Sequence, residues 1–124
     1  MPEPFTLYKL IVLYMLQKVD FPLTNAQISE FILDRGYTTY FTLQSVLSEL
    51  SESGMVHQET IRNTSYYTLT DAGAEALHYF QNRISKMIRD DIDKYIADKK
   101  MELRDEVSVI ADYYKNTADE YSVR

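Results

Sequence analysis

The sequence contains no cysteine. That excludes disulfides, thiolate zinc sites and cysteine nucleophiles at once. It fits the reducing cytoplasm, where the chain is expected to reside. Glycine is scarce: Gly36, Gly54 and Gly73 are the only three. Each falls where a helix is expected to start or stop, so none remains to cradle a phosphate. The two histidines, His57 and His78, form no pair spaced for zinc and read as surface residues of a strand and a helix. Long apolar runs are missing as well. The stretch LIVLYML, Leu10 to Leu16, is far shorter than the roughly 18 residues of a membrane span. No small-residue cleavage site follows it, so it reads as a buried helix and not as a signal peptide. No membrane partner is expected.

Positive charge is also short. Lysine and arginine number 13 against 19 acidic residues, a net charge of −6 with a pI near 4.8. Residues 1–70 hold four basic and seven acidic side chains, and residues 71–124 hold nine and twelve. Each part is at −3, so neither hides a basic domain, which argues against strong non-specific binding to nucleic acid. What the chain does have is 45% hydrophobic residues in 124, enough for the core of one domain of ordinary size.

The apolar pattern divides the chain. Leu7, Leu10, Ile11, Tyr14 and Met15 recur at helical spacing between Phe5 and Val19. Asp20 and Pro22 end that helix. Thr24-Asn25 is a good N-cap pair before AQISEFILDRG, in which Ile28, Phe31 and Ile32 share a face and Gly36 suits a left-handed C-terminus. A third helix, capped by Thr38 or Thr39, carries Leu43, Val46, Leu47 and Leu50 inward and stops at Gly54. The period then becomes two: strand 55–61, turn 62–65 and strand 66–69, with Thr70 capping the next helix. That helix is predicted to run unbroken through Leu77, Phe80, Ile84, Ile88, Ile92 and Tyr95 or Ile96 to about Lys99 or Glu102, on the order of 45 Å at 1.5 Å per residue. VSVIADYY, Val107 to Tyr114, is β-branched and aromatic, and with EYSVR it reads as a terminal β-hairpin. A lone hairpin is marginal in water. It is therefore expected either to begin a second domain continuing past Arg124 or to be completed by a partner chain.

Helix, helix, helix, strand, turn, strand is the order of a winged helix-turn-helix. LSELSESGMV (Leu47 to Val56) and YYTLTDAGAEAL (Tyr66 to Leu77) carry the resemblance. The Tyr66–Leu77 stretch resembles the Y-x-L-T-x-x-G signature with which PadR-like and MarR-like regulators enter the helix after the wing. With FTLYKLIVLYML, the long helix and the trailing strands, the whole chain most resembles an uncharacterised winged-helix family, domain of unknown function 4364. The fold class expected is mainly α with a small β-wing. It comprises a winged domain over 1–75, a long helix over 76–103 and a hairpin over 104–124. The resemblance implies a cytoplasmic DNA-binding regulator and supplies no ligand, operator or mechanism.

In a winged helix the outer face of helix three enters the major groove. Here that face offers Thr38, Thr39, Tyr40, Thr42, Gln44, Ser45 and Ser48, neutral groups able to pair with base edges or simply to keep a helix surface soluble. Glu49 and Glu52 lie further along it and face phosphates unfavourably unless only the helix N-terminus is inserted. Arg62, Asn63 and Thr64 form the wing tip, where the arginine suits a phosphate or the minor groove; the same residues also make an ordinary turn. Thr24, Asn25 and Gln27 begin helix two and are candidates for phosphate contact, although capping alone accounts for Thr24 and Asn25.

Asp90, Asp91 and Asp93 do not share a helical face, and no calcium-loop glycine follows them, so they read as a solvated surface and no metal is expected. No cofactor or catalytic set is legible, and no enzyme is expected. The stripe Phe80, Ile84, Ile88, Ile92 and Tyr95 extends past what the winged domain needs. Left open it is a sizeable apolar patch. A homodimer would cover it and set two reading helices about one DNA turn apart; the trailing strands folding back would cover it too. Double-stranded DNA and a second copy are thus the partners expected. The competing expectation is a protein-interaction module whose aromatic, acidic surface engages another protein.

Overall fold

Seven successive residues, Leu10 to Leu16, are buried on every side, and the fold is arranged around them. A computed structural model describes the backbone of residues 3–119 and the side chains of residues 5–107. The buried run belongs to α1 (Glu3–Gln17), which α3, α4, α5 and the sheet surround. A helix apolar on all faces is stable only in that position.

Next come β1 (Leu23–Thr24), α2 (Asn25–Arg35), α3 (Tyr40–Glu52), β2 (Val56–Ile61), β3 (Thr64–Leu69), α4 (Asp71–Phe80) and α5 (Lys86–Asp119). The strands form one antiparallel sheet in the order β1-β3-β2. The fold is therefore mainly α with a small β-wing, the β2–β3 hairpin, in the expected order of elements. Ile28, Phe31 and Ile32 of α2 and Leu43, Val46, Leu47 and Leu50 of α3 point into the core, as their spacing predicts.

Local chemistry sets the helix ends. Thr24 caps α2 in a reciprocal capping box with Gln27. Gly36, at φ 72°, closes that helix while the Tyr37 amide reaches back to the Ile32 carbonyl, a Schellman end. Thr39, not Thr38, caps α3. At the far end of α3 four segments meet. The Thr70 hydroxyl donates to the Gly54 carbonyl at 2.6 Å and accepts from the Gly73 amide at 3.1 Å. The Thr70 amide donates to the Met55 carbonyl at 3.2 Å. A methyl group on Gly73 would lie 2.0 Å from that same Met55 oxygen, so only glycine lets α4 approach the start of the wing.

The structure departs from the sequence expectations at four places. Leu23–Thr24 forms a strand that pairs with Tyr67 and Tyr66; its two residues were too few to show a period. The wing turn is tighter than 62–65: Ile61 pairs with Thr64, and Arg62 and Asn63 alone turn the chain at φ 52° and 68°, a type I′ geometry. The long helix is interrupted. A single 3-10 turn, Gln81–Arg83, ends α4 and Ser85 starts α5 by accepting from the Ile88 amide at 3.2 Å. Finally, no hairpin occupies residues 104–119, because α5 continues through them. Extending an existing helix avoids the cost of nucleation, which outweighs the β-propensity of VSVIADYY. Residues 120–124 of the expected second strand lie outside the described residues.

Candidate nucleic-acid interface

The N-terminal half of α3 faces outward. Tyr40, Ser45 and Ser48 are exposed, and Thr38, Thr42 and Gln44 are half-buried. Two of the hydroxyls are engaged with each other: Thr39 accepts from the Thr42 amide at 3.3 Å and donates to the Thr42 hydroxyl at 3.1 Å. The largest feature of this surface is Phe41, 84% exposed, which sequence reasoning left out of the site. Its signal was legible: Phe41 lies two positions before the first inward residue, Leu43, off the helix's buried stripe. Phe41, Phe5, Ser45, Ser48, Glu49 and Glu52 border one shallow depression.

Electrostatics modify the expectation for the glutamates. Lys9 of α1 forms an ion pair with Glu49 and also lies over the Phe5 ring. One of the two acidic charges on α3 is thus offset within the chain, and Glu52 remains exposed. At the wing tip Arg62 and Asn63 are exposed and Thr64 is half-buried as the first residue of β3. Behind them, Gln58 and Thr60 of β2 each bond to the Ser65 hydroxyl across the hairpin at 3.3 Å.

The start of α2 is arranged otherwise than expected. Asn25 and Gln44 exchange two amide hydrogen bonds, at 2.8 and 3.1 Å, and Asn25 also accepts from Ser29 at 3.0 Å. Thr24 and Gln27 are buried. Gln27 accepts from the Thr24 amide at 3.0 Å, while its own amide group donates to the Leu103 carbonyl at 3.2 Å and to Glu106 at 2.7 Å. The side chains proposed for phosphate contact are therefore turned inward and committed, and an α5 carboxylate sits beside them. Gln44, proposed as a base reader, is held by Asn25 in the same way. A sequence pattern shows which groups can hydrogen-bond but not which of them the fold consumes.

The stripe assigned to a dimer also has an intramolecular destination. Ile84 and Ile92 are fully buried in the chain's own core, and Ile88 and half-buried Tyr95 pack against it. The Tyr95 ring lies 4.5 Å from that of Phe31, and only Phe80 among the five is exposed. The α4–α5 break turns the stripe back onto α1 and α2, which removes the open apolar face.

The three aspartates point three ways. Asp91 accepts from Arg35 at 3.0 Å and from the Tyr37 hydroxyl at 2.6 Å, Asp93 accepts from the Tyr14 hydroxyl at 2.8 Å, and Asp90 from Lys86 at 2.8 Å. Asp91 and Asp93 fasten the first turns of α5 to α2 and α1, while the Asp90 pair stays within α5. Burial, reinforced by the Asp91 carboxylate, pushes the Tyr37 phenol up to about 12. Burial and Asp93 raise that of Tyr14.

No helix among the described residues is long and apolar enough to cross a membrane. No curated protein matches the chain. Over residues 8–124 the chain matches the model of the family described as Domain of unknown function (DUF4364), and with that coverage of its length it belongs to that family.

Proposed function

We propose that the protein binds double-stranded DNA as a transcriptional regulator in the cytoplasm, with the N-terminal half of α3 in the major groove and the wing tip on the backbone. The observation that carries this reading is the outward set Thr38, Thr39, Tyr40, Phe41, Thr42, Ser45 and Ser48, fixed beside the wing by the Thr70–Gly54–Gly73 junction. Hydroxyls pair with several base edges, and apolar groups contact thymine methyls. The ion pair between Lys9 and Glu49 lowers the repulsion that phosphates would meet. Selectivity would come from these groups, and grip from Arg62 and the positive end of α3. With so few cations, affinity per chain is low. A two-fold pair of chains is proposed on that ground alone, since linked binding multiplies weak contacts; a mass measurement in solution decides it.

The test is selection from genomic fragments at about 50 mM salt, followed by titration at rising salt. Specific binding should appear, fall as salt rises, and weaken with Thr42→Ala plus Ser45→Ala. Failure to bind any fragment sinks the reading. One observation favours a second reading, a protein-interaction module: an 84% exposed phenylalanine beside Glu52 suits a basic, apolar partner segment as well as a base. Under that reading, Phe41→Ala abolishes capture of the partner while no fragment is retained.

A further inference from the structure

The distal part of α5 lies where a DNA phosphate is expected. Glu106 accepts from the Gln27 side chain at 2.7 Å in the first turn of α2, and the neighbouring Leu103 carbonyl takes the other proton of the same amide at 3.2 Å. Both contacts use the group that would hold a phosphate. Glu102, Asp105 and Glu106 also line the groove between α5 and the later turns of α2, where seven carboxylates face the cations Arg35, Lys94 and Lys99; the charge around Glu106 is negative on balance, and a phosphate at the start of α2 meets it.

Two further observations show that this placement is shallow. Between Ile96 and Leu103, nearly two helical turns, no α5 side chain is buried, and beyond them only Leu103 and Val107 are buried among the described residues. The firm anchors, Asp91 with Arg35 and Tyr37 and Asp93 with Tyr14, all lie upstream. Moreover, Tyr66, which pairs with Thr24 across the sheet and borders the same recess as Val107, is 6% exposed, and its hydroxyl has no hydrogen-bond partner. Docking α5 here buries a polar group without satisfying it, an unfavourable element that undocking relieves.

We propose that the distal part of α5 is an autoinhibitory strap: docked through Glu106, Leu103 and Val107 it closes the start of α2 to a DNA phosphate, and lifted it frees Gln27 and withdraws the Glu106 carboxylate. The proposal rests on the DNA-binding reading. DNA and the docked strap then exclude each other, so DNA binding and strap release are linked, and anything else that captures the lifted segment acts as an activator of binding.

The test uses the full chain with Glu106→Ala and, as a control for charge alone, Asp105→Ala, whose side chain is exposed on the same helix. A fragment selected on the wild type is titrated at one salt concentration, and amide hydrogen exchange is followed over residues 24–28 and 100–107. Faster exchange at 100–107 in Glu106→Ala, with at least a fivefold gain in DNA affinity where Asp105→Ala gains less than twofold, is the expected result. Equal gains in both variants mean that only charge matters and overturn the strap. Unchanged exchange in Glu106→Ala overturns it too, and in both of these cases DNA binding itself survives. If no form retains DNA while exchange rises, the DNA-binding reading fails and takes the inhibitory role with it.

Discussion

α1 and the distal part of α5 are both helices with apolar side chains, yet they are held in opposite ways. α1 buries Leu10 through Leu16 without a gap and is enclosed by four other elements. α5 past Ile96 buries only Leu103 and Val107 among its described side chains, and its other contacts to α2 there are hydrogen bonds through Gln27. The first helix is part of what folds; the other lies on what has folded. Removing a neighbour from α1 leaves a hole, whereas the end of α5 gives the core only two buried side chains.

Leu13→Ala is the strongest way to break this contrast. Leu13 is 1% exposed, and losing it should cost about 2–5 kcal/mol in denaturant unfolding. Leu103→Ala should instead raise hydrogen exchange in α5 and leave the global midpoint nearly in place. Equal midpoint shifts would mean that both helices unfold together. Gly73→Ala comes next. The new methyl meets a backbone oxygen rather than a flexible side chain, so a loss of about 1–3 kcal/mol is expected. It should come with weaker DNA binding, as the wing is displaced relative to α3.

The anchored start of α5 is probed by alkali. The Tyr37 phenol has a folded value of about 12 against 10 when unperturbed. The unfolded chain therefore loses that proton first. Stability from this group is complete below pH 10 and falls as pH rises toward 12. Tyr37→Phe should cost about 1 kcal/mol at neutral pH through the lost bond to Asp91. It should also flatten the alkaline decline without abolishing it, because Tyr14, Tyr66 and Tyr95 are shifted the same way. Urea melts from about pH 8 to about pH 12, a span that brackets the ordinary tyrosine range, measure both. The smallest effect is at the wing. Arg62 holds φ 52° without being glycine, so Arg62→Gly should stabilise the hairpin by up to about 1 kcal/mol while weakening DNA retention. A gain in both would remove Arg62 from the interface.

Much of this architecture was written locally. Thr24, Thr39 and Thr70 cap the helices, Gly36 and Gly54 close two of them, and the tight turn at Arg62-Asn63 joins the wing strands 56–61 and 64–69; each depends on neighbours a few positions away. The features that escaped depend on elsewhere. Leu77, Ile84 and Ile88 keep helical spacing across the 3-10 turn, so periodicity alone runs through the break; Ser85, which caps α5, was the one local mark of it. VSVIADYY has strand composition, but Val107 sits four positions after Leu103 and both are buried, a helical relation visible only once α2 and the sheet are there to bury them. The internal partners of the candidate site's polar groups were hidden for the same reason. Asn25, Gln27 and Gln44 are good ligands for DNA in isolation and become internal ties once α2, α3 and α5 are assembled.

The junction of Gly54, Met55, Thr70 and Gly73 has one more consequence. It joins the end of α3, both wing strands and the start of α4 at a single hydrogen-bonded point. The gap between α3 and the wing is then a fixed dimension of the molecule, like the jaws of a gauge set at the factory. Such a device cannot close around its target. On the proposed DNA-binding reading it accepts surfaces of one width, and adjustment comes from the DNA bending to fit.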